Sequence, residues 1–231
     1  GIQGFMDPYV VTIDGPSGSG KGTLALQLAQ RLGFTLLDSG AIYRLAALKA
    51  INEDVDLSDE QKVLNAISLL DIRFETGNEL TIPFLDGQDV SQQIRDEKTA
   101  AAASIVAAYP SVRSQLLTVQ REFFRPPGLV ADGRDMGTTV FPDAKIKVFL
   151  NASSEIRAKR RYKQLIDMGL SANIADLQKE IEVRDERDRN RAVSPLVPAP
   201  DAVIIDSSLM ELSQVVDLAM SYINDIINQR F

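Results

Sequence analysis

Two periods of apolar residues alternate along this chain, and each change of period marks an element. Tyr9 to Asp14 (YVVTID) is a short run of β-formers that leads straight into a glycine loop, GPSGSGKGT, from Gly15 to Thr23. From Thr23 to Leu32 the apolar Leu24, Leu28 and Leu32 recur at helical spacing, and Gly33 offers a stop. FTLLDSG then reads as a second strand and AIYRLAALKAI as a second helix. Strand, loop, helix and strand begin a βαβ unit, which requires a parallel sheet. Near residue 70 the texture changes. LDIRFETGNELTIPFLDGQDV carries turn signals at Thr76-Gly77-Asn78 and Asp86-Gly87 between short alternating runs, which predicts a small antiparallel insertion. Asp96 to Arg125 is helical again, interrupted at Pro110, with a second helix beginning near Ser111.

Gly128 to Gly133 and Lys145 to Ala152 are two further apolar strands, and Ser153 or Ser154 suits the cap of the helix that follows. Ala202 to Asp206 supplies a fifth strand, and the stretch to Phe231 an amphipathic helix. The proline-rich VSPLVPAPD is a connector, not a boundary. The pattern predicts an α/β fold: a five-stranded, mostly parallel sheet flanked by helices, with a small antiparallel β insertion.

Composition narrows the function classes. The chain of 231 residues fits one sizeable domain, and 45% hydrophobic with 25% charged residues places it among soluble globular proteins. A net charge of −7 argues against nonspecific binding to nucleic acid or to an anionic membrane. No cysteine is present, so neither disulfides nor thiolate metal sites hold the fold, which fits a reducing, cytoplasmic setting. There is no histidine either, so proton transfer falls to carboxylates, Lys, Tyr or water. No apolar run approaches the roughly 18 residues of a membrane span. Residues 1–5 (GIQGF) read as a vector-derived remnant ahead of Met6.

The glycine loop carries the first specific chemistry. Glycines let consecutive backbone N–H groups turn inward, and the following helix offers its positive end. Gly15, Ser17, Gly18, Ser19, Gly20, Lys21, Gly22 and Thr23 form this ATP-binding candidate, with Lys21 as the mobile cation for the β- and γ-phosphates. The common phosphate-loop pattern places Ser or Thr directly after the lysine. Here Gly22 stands there and Thr23 comes one place late. Such sites also need an acid at the end of a neighbouring strand for Mg²⁺, often through water. Asp132, ending LVAD, supplies one, and Asp14 before the loop is a second candidate.

The arginines point to what receives the phosphate. Between Arg157 and Arg191 there are ten basic and seven acidic residues in an otherwise acidic chain. Arg157, Arg160 and Arg161 share a helical face, as do Arg184, Asp188 and Arg191. Arginine forks bind phosphate oxygens without proton bookkeeping, and two anionic substrates placed head to head need several cations.

GPSGSGKGT, LDSGAIYR, VADGRDMGT and RDERDRNRAVSPL, in this order, resemble the bacterial cytidylate kinase family of nucleoside monophosphate kinases. The resemblance covers nearly the whole chain from about Tyr9, and the spelling G-K-G-T is one that monophosphate kinases share. It implies a P-loop kinase domain over residues 6–231, with a monophosphate-binding region about 38–115, the insertion about 66–95 and a short lid about 157–191. It implies transfer of the γ-phosphate of MgATP to CMP or dCMP by a monomeric enzyme of pyrimidine nucleotide metabolism. Lys21 with the loop amides would hold ATP, and Arg157, Arg160 and Arg161 would close over the transferring group. Arg44 and Arg134, with Arg191, match positions that grip the acceptor's phosphate. Arg184 and Asp188 match sugar contacts, with Ser39 and Tyr43 beside them. Ser104, Arg113 and Asp135 match positions that read cytosine. Mg²⁺ would meet Asp132 through water, with Thr23 as a further candidate.

The base assignment is chemically sensible. Cytosine's exocyclic amine is a donor where uracil has an acceptor, and a carboxylate such as Asp135 rewards only the donor. A site of buried polar groups rejects the wrong base because those groups are then left unpaired. Two alternatives compete: a P-loop kinase for another small acceptor such as UMP, shikimate or gluconate, and a nucleotide-dependent switch with no acceptor. A switch has no use for the second arginine set.

Overall fold

The structure is a computed structural model that describes residues 9–76, 81–192 and 194–228. The proposed remnant at 1–5, the Gly77-Asn78 part of the first predicted turn, Val193 of the connector and residues 229–231 of the predicted final stretch lie outside them. The chain forms two compact units: one runs to Leu37 and resumes at Phe123, and the other is Asp38–Glu122.

In the first unit, β1 (Tyr9–Asp14) leads through the glycine loop into α1 (Lys21–Leu32), and β2 (Thr35–Asp38) follows. The helix begins two residues before the predicted start. Gly20 turns the chain into it with φ +90°, and Gly33, with φ +68°, ends it.

The second unit opens with α2 (Ser39–Asn52), whose N-cap Asp38 accepts the N–H of Ala41 at 3.1 Å. After it comes α3 (Glu60–Ile67), a helix that the sequence reading passes over. Its signal was present: Asp59 caps it, and Val63, Ala66 and Ile67 form its buried face. The insertion is a three-stranded antiparallel sheet of β3 (Ile72–Thr76), β4 (Thr81–Leu85) and β5 (Gln88–Asp89). Between β4 and β5, Asp86 and Gly87 both have positive φ, 51° and 81°, the backbone of the tightest hairpin turn. Then α4 (Glu97–Ala107) and α5 (Pro110–Arg121) complete the unit, with Pro110 in the first turn of α5 as predicted. Ala41, Leu45 and Leu48 of α2 pack with Leu85, Val90 and Ile94 to form this unit's apolar cluster.

The chain resumes the first unit with β6 (Gly128–Gly133), β7 (Ile146–Asn151), α6 (Ser154–Asp167), α7 (Ile174–Arg189), β8 (Val203–Asp206) and α8 (Leu212–Asn228). The five strands lie in the order β2-β6-β1-β7-β8. β1 pairs in parallel with β6 (Val11 beside Val130) and with β7 (Val11 beside Ile146), and β7 with β8. Because helices cover both faces, the central strands read as continuous apolar runs. Val11, Ile13, Val130, Val148 and Leu150 pack with Leu24 and Leu28 of α1 and with Val216 and Ala219 of α8. Ser153 caps α6, its hydroxyl accepting the N–H of Ile156. Among the described residues, no helix is long and apolar enough to cross a membrane.

Candidate active site

The strand order reverses at β1: β2 and β6 lie to one side of it, β7 and β8 to the other. In open α/β sheets, ligands bind at this point beyond the carboxyl ends of the strands. The glycine loop leaves β1 there. Gly15 passes so close to β7 that a Cβ on it would sit 2.1 Å from the carbonyl oxygen of Leu150. The first turn of α1 holds no acidic residue, and Gly20 offers no side-chain cap, so the helix start presents backbone amides that suit an anion. The hydroxyl of Ser19 is buried in the loop with no hydrogen-bond partner. Gly18, Gly20, Gly22 and Thr23 are exposed.

Asp14, the last residue of β1, fastens the segment after β6. One carboxylate oxygen accepts the N–H of Met136 and the other that of Gly137, each at 2.8 Å. Burial pushes its carboxyl up to about 6, outweighing those two amides; Asp135 also raises it and Lys21 lowers it. With both oxygens so engaged, Asp14 is an anchor for the turn that carries Asp135. Asp132 is buried at the end of β6, one residue back from Gly133, and Asp135 is buried just beyond it.

The predicted arginines occupy three kinds of place. Arg157 is buried: its Nε donates to the carbonyl of Ala152 at 3.0 Å, and Nη1 donates to the carbonyl of Ser17 at 3.0 Å. Its fork also meets the carboxylate of Asp185, Nη1 at 2.9 Å and Nη2 on the other oxygen. Arg160 donates to the carbonyl of Ser207 at 2.8 Å, and Arg161 is exposed. Asp188 stands between two further arginines, 2.9 Å from Nε of Arg134 and 3.9 Å from Nη1 of Arg191. Arg191 also donates to the carbonyl of Ser194. Arg184 lies on the exposed side of α7.

The other predicted residues lie in the second unit. Ser39 is buried in the first turn of α2, and Arg44, one turn on, is 4.0 Å from Asp38. Arg113 of α5 is buried, donates to the carbonyl of Ala107 at 3.2 Å and lies over the ring of Tyr43, 5.2 Å from its centroid. Ser104 is exposed on α4 and bonds back to the carbonyl of Ala100 at 3.4 Å. The structure thus groups the loop, Arg134, Asp135, Asp188 and Arg191 in one unit, and Tyr43, Arg44 and Arg113 in the other. Asp185 is the residue that sequence reasoning missed. Its spacing from Asp188, one helical turn, was the available signal.

Residues 11–225 match the family model described as cytidylate kinase. A cytidylate kinase of Vibrio parahaemolyticus is 56% identical over 93% of this chain and 95% of its own. That of Pasteurella multocida is 54% identical over 93% and 94%. Among solved structures, an uncharacterized protein from Eubacterium ventriosum shares the fold, with TM-score 0.50 and 12% identity over 95% of this chain and 99% of the other.

Proposed function

The chain belongs to the cytidylate kinase family, and from this premise we propose that it transfers the γ-phosphate of ATP to CMP and dCMP, releasing ADP and the diphosphate. The observation that carries the reading is the pairing, within one unit, of a phosphate loop free of first-turn acids with the Arg134–Asp188–Arg191 group. The first feature suits a nucleotide's phosphate chain and the second a separate phosphate ester.

Phosphoryl transfer asks little covalent work of a protein; positioning and charge neutralisation carry it. In this reading the loop amides and Lys21 hold the β- and γ-phosphates of ATP. Arg160 and Arg161 supply the cations that meet the charge on the transferring group, while Arg157 acts from beneath the loop. Arg134 and Arg191 are assigned to the phosphate of CMP, as is Arg44, and Arg184, Asp188, Ser39 and Tyr43 to its sugar. Asp188 then balances Arg134 and Arg191 until the acceptor's phosphate competes for them. Asp135, Arg113 and Ser104 read the base, Asp135 accepting from cytosine's amine.

Among the described residues, no cluster of three or more His, Asp or Glu side chains forms a metal cage. That donor set fits a Mg²⁺ held chiefly by ATP phosphates and water, with Asp132 through a water and Thr23 at the helix start as its protein neighbours. The ion, when bound, would offset phosphate charge. The monophosphate-binding region about 38–115 and the lid about 157–191 belong to the same proposal, as does a monomeric enzyme of the cytoplasm serving pyrimidine nucleotide metabolism.

A coupled assay with MgATP and a panel of monophosphates tests it. The expected outcome is rapid ADP release with CMP and dCMP; release of ADP without any acceptor would convert the reading to a nucleotide switch.

A further inference from the structure

Arg157 and Asp185 form a buried ion pair directly behind the phosphate loop. Their side chains are only 4% and 10% exposed, and the contact is bidentate. A buried pair of this kind rarely improves stability over apolar residues of similar size, so its presence calls for another explanation. The remaining bonds of Arg157 supply one. Its Nη1 also donates to the carbonyl of Ser17, its Nε to the carbonyl of Ala152 just after β7, and its methylene stem lies 3.6 to 3.9 Å from where a Cβ on Gly18 would be. Four of its five N–H groups therefore go to fixed protein acceptors.

The consequence lies in the Ser17–Gly18 peptide. In a trans peptide the C=O and the next N–H point to opposite sides. Holding the Ser17 carbonyl on Arg157 turns the Gly18 N–H the other way. Were that bond lost, the peptide could rotate and present a carbonyl where a phosphate needs a donor. Asp185 keeps Arg157 in place behind that peptide. Its two oxygens fix the guanidinium plane, and its charge offsets one that burial would otherwise penalise.

We propose that Asp185 is a positioning residue for the nucleotide donor, acting through Arg157 to orient the Gly18 N–H toward the donor's phosphates. This deepens the donor half of the proposed function and rests on that half alone. Asp185 and Asp188 are one turn apart on α7, so a single helix supports the donor loop through one carboxylate and brackets Arg134 through the other.

The test compares affinities for Mg²⁺ with β,γ-imido-ATP, and separately for CMP, by calorimetric titration. Asp185→Asn is expected to weaken the ATP analogue about tenfold or more while CMP affinity changes less than about twofold. It also leaves Arg157 underpaired, so its melting temperature falls. The double variant Arg157→Met with Asp185→Leu removes the pair without stranding a charge, and should melt within a few degrees of the parent. A purely structural pair predicts normal analogue affinity in that stable double variant, and such a result overturns the proposal. Persistently weak analogue binding with intact CMP binding supports it. Equal losses toward both ligands also overturn it. Because both readouts are binding, they stand apart from whether the parent phosphorylates CMP.

Discussion

Asp14 and Gly137 are joined by a buried hydrogen bond of 2.8 Å, in which the carboxylate closing β1 accepts the amide of a residue 123 positions along the chain. With the matching bond from Met136, it ties the start of the phosphate loop to the turn after Asp135. Asp14 carries a pKa of about 6 against an ordinary 3.8. Between those values the folded chain binds a proton that the unfolded chain has released. The stabilisation from the protonated carboxyl is thus complete below about pH 3.8 and is lost as the pH rises through about 6. The parent should therefore lose roughly 2 kcal/mol relative to Asp14→Asn from pH 4 to pH 7. Urea unfolding of both proteins across that range measures it; a pH-independent difference contradicts the assignment.

Two glycines of the loop should respond in opposite directions. Alanine at Gly15 meets the Leu150 carbonyl at 2.1 Å, with backbone on both sides that cannot yield easily. Gly15→Ala should cost about 1–3 kcal/mol or more and lower the melting temperature. Gly22 lies inside the first turn of α1, and nothing stands within 4 Å of a Cβ there. Gly22→Ala should leave stability unchanged or raise it by about 0.5–1 kcal/mol through helix propensity. Thermal unfolding of the two variants side by side checks both, and a destabilised Gly22→Ala would show that the open surroundings are misread.

Lys21→Ala should lower kcat at least about 10²-fold, as for loss of one preorganised electrostatic contact. Steady-state turnover with saturating ATP and CMP measures it. Near-normal turnover would remove Lys21 from its role.

Much of this arrangement was legible in the chain. The five sheet strands, the hairpin at Asp86-Gly87, Pro110 at a helix start and the Ser153 cap follow from local signals, because each depends on the residues at that spot. What stayed hidden depends on distant partners. Arg157 and Arg160 share a helical face with Arg161, yet the first is buried against Asp185 and Ser17 and the second bonds to Ser207. Spacing along a helix assigns a face but not what lies opposite it. Asp14 likewise reads as a metal candidate from its place before the loop, and no local signal shows that its two oxygens accept amides over 120 residues away. Helix α3 escaped for a different reason: at eight residues it offers barely two turns of periodicity.

Asp135→Ala should damage the choice of base more than the binding of ATP. The carboxylate is buried and follows the strand end that carries Asp132, so its loss removes an acceptor for an exocyclic amine and leaves the loop in place. Separate affinities for CMP, UMP and an ATP analogue distinguish the effects. A larger loss toward the ATP analogue than toward CMP would place Asp135 with the donor instead.

The ratio of kcat/KM for CMP to that for UMP, with MgATP as donor, decides whether the acceptor is a cytidine monophosphate. Discrimination built on a donor-for-acceptor swap in a buried polar site predicts a ratio on the order of 10² or greater. Equal values for the two would contradict it.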